Sequence, residues 1–204
     1  MNKKALLKFA ALFLPAYLAL LVLSMQFGHH YVEFLLPLYR WEIGWFTPDY
    51  RIASLALADN RGEAVVALTL DMIRYVVVAG HGLPPGGSIS SSTLAGHALQ
   101  HPLLMLSLLA AWPAASLPHR VALLAIAVPL LLLVEMLDVP LVLLGSIEDL
   151  VIANIAPDAG SFLVYWMNFL NGGGRLALSI AAAFAAAGLG RMLAARMQRV
   201  CSAK

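Results

Sequence analysis

Four stretches of this chain run for about 20 residues or more with almost no charge, each long enough for a helix to cross a ~30 Å hydrocarbon core. The first is Ala5 to Phe27, interrupted by Lys8 near its start. The second is Leu94 to Leu117, with His97 and His101 at its beginning. The third is Val121 to Leu144, containing Glu135 and Asp138, and the fourth lies between Gly172 and Ala195. Backbone amides in lipid have no water to bond, so each run is expected to be a helix. The runs are apolar all round, as helices buried in lipid or protein are. Composition agrees: 61% of residues are hydrophobic, 12% are charged and the mean hydropathy is +0.83, whereas a soluble domain carries about 25% charged residues. The expected fold is a membrane all-α protein: a four-transmembrane-helix bundle with a small extracytoplasmic β-hairpin module between spans one and two.

Orientation follows from Lys and Arg, which stay on the cytoplasmic side. Lys3, Lys4 and Lys8 precede the first run, Arg120 sits between the second and third, and Arg191, Arg196, Arg199 and Lys204 accompany or follow the end of the fourth. The other connections hold most of the acids: Glu33, Glu42, Asp49, Asp59, Glu63 and Asp71 in 28–93, and Glu148, Asp149 and Asp158 in 146–171. Both termini are therefore expected on the cytoplasmic side of an inner membrane. The net charge of +2 is this topology signal, so no nucleic-acid partner is expected. The first run is long for a signal-peptide core, and Ser24-Met25-Gln26-Phe27 is a poor cleavage context. It reads as an uncleaved signal anchor. The single cysteine, Cys201, cannot close an internal disulfide and reads as a reduced thiol in the basic tail.

Three regions result: a signal-anchor span over 1–27, an extracytoplasmic interfacial helix plus β module over 28–93, and a three-span bundle with a basic tail over 94–204. Residues 29–41 are aromatic and amphipathic, which suits a helix lying at the outer interface, and Pro48 follows Trp45 and Phe46. Alternating apolar residues in 50–58 and 63–70 flank Asp59-Asn60-Arg61-Gly62, where Asn60 and Gly62 suit the positive φ of a tight hairpin turn. Residues 73–78 read as a third strand. Residues 80–92 are rich in Gly, Pro and Ser and read as a loop, with Ser92 or Thr93 available to cap the second span. The stretch 147–171 reads as an interfacial or re-entrant segment that Gly172-Gly173-Gly174 breaks from the fourth span; the alternative is a helix running from Ser161 through the glycines. The small residues at 181–183, 185–188 and 190 make the fourth span the place for close helix packing.

Glu135 and Asp138 are spaced i, i+3 and share a helix face. Ionised acids in hydrocarbon cost at least about 2.5–3.5 kcal/mol, so they face protein or water and find partners. Arg175 opens the fourth span from the same side, so Asp138–Arg175 or Glu135–Arg175 is the expected pair. Glu135, Asp138 and Arg175 form one candidate intramembrane polar site, for a proton, a lipid headgroup or a partner peptide; the alternative is an ion pair that fixes helix register. His97 and His101, at i, i+4, form a candidate outer-mouth site. Two His one turn apart can share a metal, but no Glu follows His97 as in a zinc-protease helix, and hydrogen-bonded interfacial histidines account for them. No cofactor or metal is expected, and Gly86-Gly87-Ser88 lacks the Lys of a phosphate loop.

Ser91-Ser92-Thr93-x-x-Gly96-His97-x-Leu99-Gln100-His101-Pro102, with Trp112-Pro113 ending the second run, sits within an order of one span, a short β module and three further spans. This arrangement resembles the small membrane proteins associated with bacterial exosortase systems, which process and sort secreted proteins carrying a C-terminal sorting signal. Exosortases themselves use a membrane-embedded Cys, Arg and His. Here Cys201 stands alone in the tail, so the resemblance implies an accessory role and transfers no catalytic residue. The expectation is a non-enzymatic accessory or scaffold subunit of an inner-membrane protein-sorting or cell-envelope system, holding a membrane-protein partner through its spans and outer module within the lipid bilayer. The alternatives are a membrane-embedded enzyme acting on a lipid or peptide at the outer leaflet, or a small transporter subunit.

Overall fold

A computed structural model describes residues 3–78, 81–114, 116–157 and 159–202; Gly80, Asp158 and Lys204 lie outside the described residues. Among the described residues three helices are long and apolar enough to cross a membrane: Leu6–Phe46, Leu117–Ile155 and Phe162–Arg196. The first lies within α1 (Lys3–Phe46), whose 44 residues make about 66 Å of helix at 1.5 Å per residue. The helix does not stop at Phe27; the aromatic segment that follows is its continuation. Gly28 lies within it, close to the Leu99 side chain, whose end would have to shift to admit a Cβ there. The run expected as the second span forms α2 (Ala95–Ala111), which ends after 17 residues at Trp112-Pro113, about 26 Å of helix. The second candidate span is α3 (Leu117–Ile155), so residues 147–155 are its last turns. The third begins with α4 (Phe162–Phe169), passes through a π-helical segment (Leu170–Gly174) and continues as α5 (Arg175–Ser202). The glycine triplet kinks this path without ending it: Gly173 takes φ 110° while the helical trace runs on.

The chain forms two compact units. One comprises residues 1–26, 100–135 and 176–204. Its core joins Met105 and Leu109 of α2, Leu123, Ala127 and Val134 of α3, and Ala182, Ala183, Ala186 and Ala187 of α5. The small α5 residues let backbones approach, and a Cβ on Gly190 would stand 3.0 Å from Leu123 Cα. Trp112 meets Phe184 edge-on at 5.3 Å between ring centres.

The other unit comprises residues 27–99 and 136–175. Here α1 buries Val32, Leu35, Tyr39 and Ile43 and leaves Phe34, Trp41 and Trp45 exposed. A three-stranded antiparallel sheet has the order β1 (Tyr50–Asn60), β2 (Glu63–Met72), β5 (Ser88–Leu94). The hairpin turn lies one residue later than the sequence suggests. Asn60 still pairs with Glu63, and Arg61 and Gly62 take φ 58° and 85°. Two successive positive φ values match the twist of the strands they join, and Asp59 Oδ1 accepts the Gly62 N–H at 2.9 Å.

The sheet's third strand is not residues 73–78 but β5, which the sequence presents as loop. Val76–Val78 (β3) pairs instead with His81–Leu83 (β4) in a separate two-stranded ribbon. Backbone bonds Met72 N–H to Gly87 O and Gly86 N–H to Met72 O, both 2.9 Å, close the excursion at its neck. β5 is serine-rich, so its composition signals loop, while cross-strand pairing makes it a strand. Ser88, Ser90 and Ser92 point outward, and Thr93 is buried on the opposite face. Thr93 does not cap α2, because its Oγ1 pairs with His97 Nδ1 at 3.0 Å. Leu55, Leu68 and Leu70 cover the sheet's apolar face, and Ser91 Oγ donates to Leu143 O of α3 at 2.9 Å.

α3 and α4 meet at Gly145, where a Cβ would stand 2.7 Å from Leu163 O. Gly145→Val is expected to lower the melting temperature in detergent, at a cost of about 1–3 kcal/mol from forced backbone separation. Gly96→Ala, whose Cβ meets nothing within 4 Å, is the control, neutral or stabilising by up to about 1 kcal/mol. On the exposed sheet face Arg51 Nη2 and Ser88 Oγ both donate to Asp71, at 2.8 and 2.7 Å. These bonds, Arg51 first, hold the Asp71 carboxyl below its ordinary 3.8. Their contribution is therefore complete above that value and is lost as the pH falls below it. The difference in melting temperature between the native protein and Asp71→Asn is expected to shrink over that range, measured by thermal unfolding at stepped pH.

Candidate functional site

The second unit contains a buried ion pair. Asp138 lies on α3 and is 0% exposed; Arg175 is the first residue of α5 and is 5% exposed. Arg175 Nε donates to Asp138 Oδ1 at 2.9 Å and Oδ2 at 2.8 Å. Arg175 Nη1 donates to Asn171 Oδ1 at 2.8 Å, one turn back across the glycine kink. The kink thus sets a carboxamide from the π-helical segment beside the guanidinium that opens α5, and that guanidinium meets the carboxylate of α3. Of the two expected pairings for Arg175, the one with Asp138 is formed. Trp166 Nε1 donates to Leu137 O at 2.7 Å, a second tie between α4 and α3. Ser146 Oγ, with one proton to donate, lies 2.8 Å from Val142 O and 3.2 Å from Met167 Sδ.

A charge-assisted bond of this kind is strong where water is excluded. Desolvating both ions offsets much of that gain, so the pair matters chiefly through the cost of breaking it. Its chemical capacity is correspondingly narrow. The Nε of one guanidinium meets both oxygens of the carboxylate, and that geometry fixes the separation of α3 from the start of α5.

In the first unit Glu135 is fully buried and partnered. His101, 0% exposed, places Nδ1 2.8 Å from Oγ of Ser179, 1% exposed. A histidine beside a serine hydroxyl is the local geometry of an activated nucleophile. Here both groups are sealed, so no substrate reaches Oγ unless the helices part. His97 bonds Thr93, so the two candidate histidines engage separate hydroxyls. Among the described residues no group of three or more His, Cys, Asp and Glu side chains is placed to hold a metal ion.

Several participants are missing from the sequence reading. Asn171 and Ser179 each lie four residues from Arg175, a spacing that marks one helix face and was the available signal. Trp166 carried no such signal. Glu42 lies on the buried stripe of α1 with Leu35, Tyr39 and Ile43; an acid in register with an apolar stripe is legible in the sequence. It is 6% exposed, and its Oε2 has no hydrogen-bond partner among the described residues.

The chain matches no protein-family model, and no curated protein or solved structure matches it significantly.

Arg175→Met, which leaves Asp138 without its guanidinium, is expected to destabilise the protein by about 3–5 kcal/mol. The double variant Asp138→Leu/Arg175→Met is expected to recover most of that loss. Thermal unfolding in detergent, with the yield of monodisperse protein, reads both.

Proposed function

We propose that this chain is a non-enzymatic accessory subunit of a bacterial inner-membrane system, one that holds a membrane-protein partner. The observation that carries the reading is the Asp138–Arg175 pair. The most chemically capable charges in the apolar part of the chain hold α3 to α5; they do not present a reactive group. A second feature supports the partner. β1 is an eleven-residue edge strand bonded on one side to β2, and an unpaired strand edge invites an extended segment of another chain.

Charge supports four crossings, with both termini in the cytoplasm. Three crossings would place the basic N-terminus and basic C-terminal segment on opposite faces, against the preference of Lys and Arg for one side. An even number restores agreement if α2 crosses as well. Its 17 residues lie at the short end of the ~17–25 residue range for spanning helices. The sheet then lies on the extracytoplasmic side. The Ser91–Pro102 pattern and the Trp112-Pro113 step support placing the chain beside an exosortase, as an accessory in sorting secreted proteins.

The test is isolation of the tagged full chain in mild detergent from its native membrane, followed by mass spectrometry. A polytopic membrane protein is expected at fixed stoichiometry, and the purified chain alone is expected to process neither lipid nor peptide. Repeated recovery of the chain alone, or turnover by the purified chain, overturns the reading.

A further inference from the structure

The second unit contains a half-open cavity of about 200 Å³, roomier than the ~150 Å³ that accommodates a benzene ring. Phe46, Leu70, Leu144 and Val151 supply apolar wall, and Tyr50 and Glu148 supply polar groups. Its segments come from α1, the first two strands, α3 and α4, so no local sequence pattern announces it.

The surroundings are acidic. Glu148 Oε2 accepts a hydrogen bond from Ser161 Oγ, and the same hydroxyl oxygen accepts the Leu163 and Val164 N–H groups at the start of α4. That network fixes the carboxylate, which has about four acceptor positions and is not exhausted by one donor. Burial, then the charges of Asp49 and Glu148, raise the Tyr50 phenol above its ordinary 10.0, so two acids act on one wall residue. Glu42 lies one turn before Phe46 on the same face of α1, with its Oε2 unpartnered among the described residues. The cation beside Asp49 is Arg74, at 3.7 Å and largely exposed.

An apolar slot with a negative edge discriminates among occupants. A bare hydrocarbon gains nothing from the acids, and an anionic amphiphile is repelled by them. An apolar group with a cation attached satisfies both the wall and the edge. We propose that the cavity receives one large apolar side chain of a partner polypeptide, with a neighbouring Lys or Arg of that partner meeting Glu148. This rests on the reading of the chain as a partner-holding subunit and supplies the chemistry of one contact.

The test uses the full chain in lipid nanodiscs and saturation-transfer NMR. The probes are the capped pentapeptide Ser-Arg-Phe-Arg-Ser, its counterpart with Glu for both Arg, and its counterpart with Ala for Phe. Saturation is expected to reach the Phe ring of the first peptide, with the other two at least about fivefold weaker. Glu148→Gln is expected to weaken the first peptide about threefold to fivefold, the range of a partly exposed ion pair. Val151→Trp, which fills the cavity, is expected to abolish binding; where that variant does not fold, Val151→Phe replaces it, and the peptide comparison requires no variant. Equal binding of the Glu peptide, or undiminished binding by the filled cavity, overturns the proposal. Binding of 4-phenylbutylamine without any peptide binding also overturns it, making the cavity a site for free amines. The peptides bind or fail whether or not a partner co-purifies, so loss of this contact and loss of the subunit reading are observed separately.

Discussion

A charge that leaves water must meet its opposite, and that requirement organises the polar interior of this protein. Asp138 is fully buried on α3, and Arg175 supplies the guanidinium. The arginine reaches the acid from the point where the π-helical segment gives way to α5, with Asn171 holding its other arm. Gly173, at φ 110°, allows the turn that sets both residues. The glycine triplet, the arginine and the aspartate thus form a single device that fixes how the kinked third candidate span meets the second. Trp166 and Gly145 reinforce the same seam, one through a hydrogen bond to a carbonyl and one through absence of a side chain.

The sheet depends on the helices in a different way. Three strands with one apolar face are barely stable alone, so Leu55, Leu68 and Leu70 need a cover. Segments of α1 and α3 line the cavity beside Leu70, and the Ser91–Leu143 bond ties the sheet to α3. Its other face carries short hydroxyl and charged side chains in cross-strand rows. In one row Thr69 meets Ser90 at 3.0 Å, and in another Arg51, Asp71 and Ser88 share hydrogen bonds. Among the described residues, β1 is bonded on one side, to β2.

Legibility varied with the range of the interaction. The long apolar runs, the hairpin and the small-residue character of α5 were readable because each is a property of neighbouring residues: length, alternation or side-chain size. The end of α1 was not, because the helix passes Phe27 and Gly28 without a break and nothing local marks where it stops. β5 was hidden by its serines, whose composition resembles a loop and whose strand character comes from pairing with β2. The candidate polar residues were visible as charges in apolar sequence, yet their partners were visible only in part. Arg175 was a plausible mate for either acid, and the His101–Ser179 bond joins residues with no local relation.

The sequence by itself determined that long apolar helices dominate this chain, that a small β element interrupts them and that buried acids would need partners. Those conclusions follow from solvation, which acts on each segment where it stands. The tertiary structure decided that Asp138 meets the arginine, which strand completed the sheet and where the helices approach closely enough to require glycine. Those outcomes depend on distances between segments remote along the chain, and such distances exist only once the chain has folded.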